Sequence, residues 1–87
     1  MRVLVVDDEV DLAEAIARGL RREGYAVDLA HDGEDALEKA RLTPYDLICL
    51  DITMPKMDGR AVCRAIRADP VHAEPPRILM LDRKSVV

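Results

Sequence analysis

The chain has 87 residues, the size of one small domain, and 49% of them are apolar while 34% are charged. This balance excludes a disordered or fibrous chain and predicts a packed core, which must be aliphatic because aromatic residues make up only 2%. The 17 acidic and 13 basic residues are interspersed and give a net charge of −4, which argues against a nucleic-acid or anionic-membrane surface in this segment.

The cysteines and the N-terminal segment indicate where the protein resides. Cys49 and Cys63 are too far apart for a metal knuckle or a redox pair, so they are interpreted as two reduced, buried thiols. Only four apolar residues follow Arg2 before Asp7 interrupts the run, so neither a signal-peptide core nor a membrane span is predicted there. We expect a cytoplasmic protein.

The first strand and helix of the chain have clear signals. Residues 3–6 form a short apolar run, which predicts a buried strand that ends in acidic residues. Residues 10–23 carry apolar side chains at helical spacing, and Gly24 supplies a stop. Asp11 and Glu14 resemble a capping box at the start of this helix.

The rest of the chain continues the alternation of strand and helix. A strand at 25–30 is followed by a turn at 31–33 and a second helix that must end before Pro44. Two further strands are predicted at 46–51 and 78–81, and a third helix lies between them at 60–68. Four strands and three helices without a hairpin signal indicate a parallel α/β sheet with right-handed crossovers.

Four aspartates follow the predicted strands, at the edge where such sheets bind ligands. They are Asp7, Asp8, Asp51 and Asp82. Carboxylates that converge at one site favour a divalent cation, and oxygen ligands with room for phosphate suit Mg²⁺. A carboxylate can also attack phosphorus and form an aspartyl phosphate. Helix capping is the alternative for a lone aspartate, but an acidic pair joined by a third carboxylate favours the metal.

Other polar residues are given structural roles. Asp58, which precedes Gly59, is interpreted as a turn residue and helix cap. Two histidines, His31 and His72, are interpreted as exposed loop residues without a partner. The polar face of the first helix accounts for Arg18, Arg21 and Arg22.

The segments VLVVDDE, residues 3–9, and DLICLDITMPKMDG, residues 46–59, resemble the receiver domain of two-component response regulators. The resemblance implies a flavodoxin-like (CheY-like) fold with strand order 2-1-3-4-5. It further implies that Asp51 is the phosphoacceptor and that a sensor histidine kinase is the donor. Asp8 would bind Mg²⁺ directly and Asp7 through water, with Asp51 and the backbone carbonyl of Thr53 as further ligands. A signalling module is implied, not an enzyme, apart from phosphoryl transfer to and from its own aspartate.

The pattern of that family is incomplete in this chain. Residues 1–81 are interpreted as a partial receiver domain, and residues 82–87 match none of the expected fourth helix, fifth strand and fifth helix. Asp82 stands where the family has a Thr or Ser that bonds the phosphoryl group, so it is a doubtful switch position. The fourth strand would then be an open sheet edge, which predicts a two-fold dimer that pairs edge strands or swaps elements.

Two other functions stay open at this stage. One is a truncated or degenerate receiver that folds by oligomerising and does not switch. The other is a Mg²⁺-dependent phosphohydrolase with Asp51 as its nucleophile, but such enzymes need a second aspartate where this chain has Thr53.

Overall fold

A parallel sheet with helices on both faces is the architecture of the computed structural model, which describes residues 1–81. The elements are β1 Arg2–Val6, α1 Val10–Arg22, β2 Ala26–Ala30, α2 Gly33–Leu42, β3 Leu47–Asp51, α3 Gly59–Ala68 and β4 Arg77–Leu81. All three strand pairs are parallel, and the strand order is β2-β1-β3-β4. The predicted parallel α/β architecture and the order of its first four strands are confirmed.

The apolar runs in β1 and β3 are continuous because both strands lie inside the sheet and are covered on both faces. Leu4, Ile48 and Leu50 are completely buried, and each such burial stabilises the fold by about 1.5–3 kcal/mol.

Two apolar clusters fill the two faces of the sheet. The larger lies beneath α2 and α3 and includes Leu4, Leu50 and Ile66. The smaller lies beneath α1 and includes Val5 and Ala17. Neither cluster contains a tryptophan or phenylalanine, as the composition requires.

The start of α1 differs from the prediction. Its N-cap is Glu9, without a side-chain capping bond, so the capping box predicted from Asp11 and Glu14 is wrong. The physical reason is that Asp11 already lies in the first helical turn, whereas a capping box needs its first residue at the N-cap, the position that Glu9 occupies. Asp58 does cap α3, because its carboxylate accepts a hydrogen bond from the Ala61 N–H at 2.9 Å.

Three further features bear on the sequence predictions. His72 is partly buried in the loop before β4, and its backbone N–H donates to the carbonyl of Asp69, so the prediction that it is exposed is wrong. Cys49 and Cys63 are both free and buried. No helix among residues 1–81 has an apolar stretch long enough to cross a membrane.

Candidate functional site

Parallel pairing of the two central strands brings three aspartates together. Val6 of β1 pairs with Leu50 of β3, so the residues that follow them, Asp7 and Asp51, lie side by side at the carboxyl edge of the sheet. Asp8 completes the group, and one carboxylate oxygen from each of the three lies within 4.8 Å of the others. Asp82, the fourth predicted position, lies outside the described residues.

The three carboxylates differ in their access to water. Asp7 and Asp51 are only 3% and 1% exposed, whereas Asp8 is exposed. Placing two buried carboxylates beside a third costs desolvation and repulsion unless positive charge offsets it. A bound cation would offset this cost, and these three carboxylates are the groups that would hold it.

Asp7 is held by its neighbours on both the backbone and the side chain. Its N–H donates to the carbonyl of Ala30 at 3.0 Å, and its Oδ1 accepts a hydrogen bond from the Glu9 N–H at 2.9 Å. The carboxylate thus supports the turn into α1 as well as belonging to the acidic cluster, but it does not cap the helix, because the N-cap is Glu9 and the bond is made to the Glu9 N–H itself.

His31 is a part of this region that the sequence did not reveal. Its Nδ1 lies 3.0 Å from the backbone oxygen of Asp7, and because a carbonyl oxygen only accepts, Nδ1 carries the proton in this contact. The prediction of a histidine without a partner is therefore wrong. The signal that could have revealed the contact is strand order: Val6 pairs with Ala30, so residues 7 and 31 follow side by side.

Asp51 is fixed by the loop that follows it. The Thr53 N–H donates to Asp51 Oδ1 at 3.1 Å, which restricts rotation of the carboxylate. The Ile52 N–H donates to the carbonyl of Leu81 in β4, and the Gly59 N–H returns to the carbonyl of Ile52 at 3.0 Å. The loop thus closes on itself, and α3 begins directly against the end of β3.

Gly59 is required by this close approach. A Cβ atom at residue 59 would lie 2.4 Å from the backbone oxygen of Asp51 and 2.9 Å from the Cα of Ile52. Both neighbours are backbone atoms, which cannot move aside as a flexible side chain can. The glycine therefore sets how closely α3 approaches the acidic cluster.

The donor set indicates which metal the site suits. The three aspartates offer only hard carboxylate oxygens, which is the chemistry preferred by Mg²⁺ and not that of soft, thiol-binding metals. Thr53 follows Asp51 by two residues and contacts the cluster through the hydrogen bond from its N–H to the Asp51 carboxylate. The role of its backbone carbonyl as a metal ligand stays a prediction.

Curated relatives support one interpretation of this geometry. The chain is 49% identical over 81 residues to the transcriptional regulatory protein CutR of Streptomyces coelicolor, an alignment that covers 93% of this chain and 36% of that protein. It is 51% identical over 67 residues to the transcriptional regulatory protein DltR of Streptococcus agalactiae, covering 77% and 30%, respectively. The chain thus spans about a third of the length of these relatives.

Solved structures agree with the sequence relatives. The N-terminal domain of a response regulator receiver protein from Methanoculleus marisnigri superposes with a TM-score of 0.84 at 39% identity, covering 91% of this chain and 63% of that one. The response regulator protein TrrA from Thermotoga maritima, solved in complex with Mg(2+)-BeF, superposes with a TM-score of 0.83 at 38% identity, covering 98% and 76%. The flavodoxin-like, CheY-like fold class is confirmed.

The family assignment rests on a match along almost the whole sequence. The family model described as the response regulator receiver domain matches residues 3–86. This range extends past residue 81, and the proposed boundary between a partial domain and a tail at 82–87 stays a prediction. With the fold, the acidic cluster and the family model in agreement, the chain belongs to the response regulator receiver domain family.

Proposed function

We propose that this chain is the phosphoacceptor receiver module of a two-component response regulator, and that Asp51 accepts a phosphoryl group from a sensor histidine kinase in the presence of Mg²⁺. The observation that carries the proposal is the meeting of Asp7, Asp8 and Asp51 within 4.8 Å at the carboxyl edge of the sheet. Membership of the receiver family gives that cluster its signalling context.

The proposal gives the three carboxylates different roles. Asp51 ends a central strand, and the Thr53 N–H holds its Oδ1, so its carboxylate is oriented before a donor arrives. A carboxylate oxygen of Asp51 attacks phosphorus, a new P–O bond forms, and the bond from phosphorus to the donor breaks. By resemblance to the family, Asp8, the exposed member of the cluster, would hold the metal directly and Asp7 would hold it through water.

Bound Mg²⁺ supplies positive charge that offsets the charge of the transferring phosphoryl group. The carboxylates, together with the proposed backbone carbonyl of Thr53, form an oxygen-only set that fits this ion. The relative TrrA, solved with Mg(2+)-BeF, supports a Mg²⁺ site of this kind in the present chain.

The proposed role is that of a signalling module and not of an enzyme that acts on a separate substrate. We place it in the cytoplasm, where the free cysteines Cys49 and Cys63 would stay reduced. CutR and DltR are named transcriptional regulatory proteins. With its net charge of −4, this segment does not offer a DNA surface of its own, so we propose that any control of transcription uses a surface outside it.

Self-association of the 87-residue chain is a further part of the proposal. Within the described residues β4 is an edge strand, and its Leu79 is 51% exposed on the face that carries α1. We propose that two copies meet along this edge as a two-fold dimer, by strand pairing or by exchange of an element. Light scattering at micromolar concentration tests this, and a folded monomer would contradict it.

The phosphoacceptor is tested by intact-mass spectrometry after incubation with Mg²⁺ and acetyl phosphate. The wild type should gain one phosphoryl group, and Asp51→Asn should gain none. Asp58→Asn is the matched control, because it removes an exposed carboxylate of the same loop while asparagine still caps α3. Labelling of the Asp51 variant would remove the assigned phosphoacceptor. Absence of labelling in a folded wild type would favour a receiver that no longer switches.

The metal site is tested by the effect of Mg²⁺ on thermal unfolding. A ligand that binds only the folded state stabilises it, by about 2.7 kcal/mol at a concentration one hundred times its dissociation constant. Asp8→Asn should lose most of this increase in Tm, whereas Asp11→Asn, an exposed carboxylate in α1 outside the cluster, should retain it. Equal increases in both variants would exclude Asp8 as a ligand.

A further inference from the structure

The outer edge of β2 carries two carbonyl groups that point away from the sheet. The Ala26 N–H donates to the carbonyl of Met1, and the carbonyl of Ala30 accepts from the Asp7 N–H, so these two residues face β1. Backbone groups alternate in direction along a strand that pairs on one side. Val27 and Leu29 therefore direct their carbonyls outward, where a further strand would bind.

Both outward carbonyls are occupied by cationic side chains. Arg21 Nη2 donates to the carbonyl of Val27 at 2.8 Å, and Lys39 Nζ donates to the carbonyl of Leu29. Lys39 is also held in place by Asp35, whose Oδ2 lies 3.0 Å from its Nζ.

The two cations reach the edge from opposite faces of the sheet. Arg21 belongs to α1, which covers one apolar cluster, and Lys39 belongs to α2, which covers the other. They therefore straddle the strand. A second β2 strand approaching this edge would have to displace both side chains from carbonyls to which they make charge-assisted hydrogen bonds. In a two-fold pairing, the second copy would also bring its own Arg21 and Lys39 towards the same two side chains of the first copy.

We propose that Arg21 and Lys39 close the β2 edge against strand addition by a second copy of this chain. Charged side chains, lysine above all, protect sheet edges in other proteins when the edge strand itself carries them. Here the flanking helices supply them, because β2 has the sequence AVDLA and contains no basic residue. The β2 edge is thereby closed to pairing between copies. This inference does not depend on the phosphoacceptor function.

The test compares self-association of the wild type with that of Arg21→Ala/Lys39→Ala. A matched control, Arg22→Ala/Arg64→Ala, removes the same two units of charge from exposed helical positions. Association is measured by sedimentation over a range of concentrations, and hydrogen exchange is followed at the amides of Val27 and Leu29, which share the outward direction of their carbonyls. The rescue variant Arg21→Lys/Lys39→Arg keeps a donor and a charge at each position.

The double alanine variant should associate at least about tenfold more tightly than the control pair, and its Val27 and Leu29 amides should exchange more slowly as concentration rises. The rescue variant should behave as the wild type. Equal association of the double alanine variant and the control pair overturns the proposal, as does tighter association without protection of those two amides. If the double alanine variant does not fold, hydrogen exchange of the wild type still tests the proposal. Protection of the Val27 and Leu29 amides that increases with concentration would show that β2 pairs despite both cations and would overturn it.

Discussion

The contact between Gly59 and the end of β3 can be tested by adding one methyl group. In Gly59→Ala the new Cβ would lie 2.4 Å from the Asp51 backbone oxygen, 2.9 Å from Ile52 Cα and 3.0 Å from the Asp51 carbonyl carbon. Overpacking costs about 1–3 kcal/mol, and the upper half of that range applies because all three neighbours are backbone atoms. We expect the free energy of unfolding to fall by about 2–3 kcal/mol.

Urea denaturation followed by circular dichroism measures this loss. With a slope of about 1 kcal/mol per molar urea for a chain of this size, the midpoint should fall by about 2–3 M. Labelling of the folded variant by acetyl phosphate should fall as well, because the clash displaces the backbone of the proposed phosphoacceptor Asp51.

Two other glycines provide a graded series for the same substitution. Gly19 lies within α1, and its added Cβ would meet no atom within 4 Å, so Gly19→Ala should stabilise the protein by about 0.5–1 kcal/mol. Gly33 would meet the Val62 Cγ2 atom at 2.9 Å and the Met57 Cβ and Sδ atoms at 3.0 Å, and because only the Met57 sulfur ends a flexible side chain, Gly33→Ala should cost about 1–2 kcal/mol. If Gly59→Ala proved as stable as Gly19→Ala, the argument from backbone contact would be refuted.

Three further predictions concern single side chains. Burial and the Asp28 carboxylate, which accepts the Tyr45 hydroxyl at 2.6 Å, raise the pKa of Tyr45 from 10.0 to about 12. The stabilisation that Tyr45 provides should be complete below pH 10 and should be lost as the pH rises towards about 12. An ultraviolet titration of the wild type, from which the titration of Tyr45→Phe is subtracted, measures the pKa. A midpoint at 10 would contradict the burial argument. Asp58→Ala should lose about 1 kcal/mol of stability, because Ala61 loses its capping bond, whereas Asp58→Asn should lose little; equal thermal unfolding of both variants would exclude the cap. Burial raises the pKa of the Cys49 thiol, so Cys49 should react with a thiol reagent only as the protein unfolds, and rapid labelling of the folded chain would contradict its burial.

The sequence predicted the parts of the site that depend on strand ends. The apolar runs of β1 and β3 marked buried central strands, and the acidic residues at their ends therefore pointed to one edge of the sheet. Asp7, Asp8 and Asp51 do meet there. The pattern was sufficient because burial and chain direction, and not a particular rotamer, determine this arrangement.

The contacts that the sequence did not predict are those between side chains and distant backbone groups. His31 reaches Asp7 only because β2 and β1 pair in one register, and the roles of Arg21 and Lys39 at the β2 edge require the packed positions of two helices. The prediction of a capping box was wrong for a local reason, because the position of Asp11 inside the first helical turn depends on where the chain leaves β1. Motif spacing contains none of this information.

The acidic cluster lies where the surrounding fold can hold its carboxylates close together. Its two buried carboxylates are at the ends of the strands with the most completely buried side chains, and Leu4, Ile48 and Leu50 each contribute about 1.5–3 kcal/mol by burial. Convergence of the carboxylates opposes folding, so this arrangement persists only where the surrounding structure over-determines it. The backbone hydrogen bonds of Asp7 and the Thr53 N–H on Asp51 complete that support. The folded chain therefore holds the site in shape by itself. A cation that binds there would offset the repulsion between the carboxylates and so stabilise the folded state.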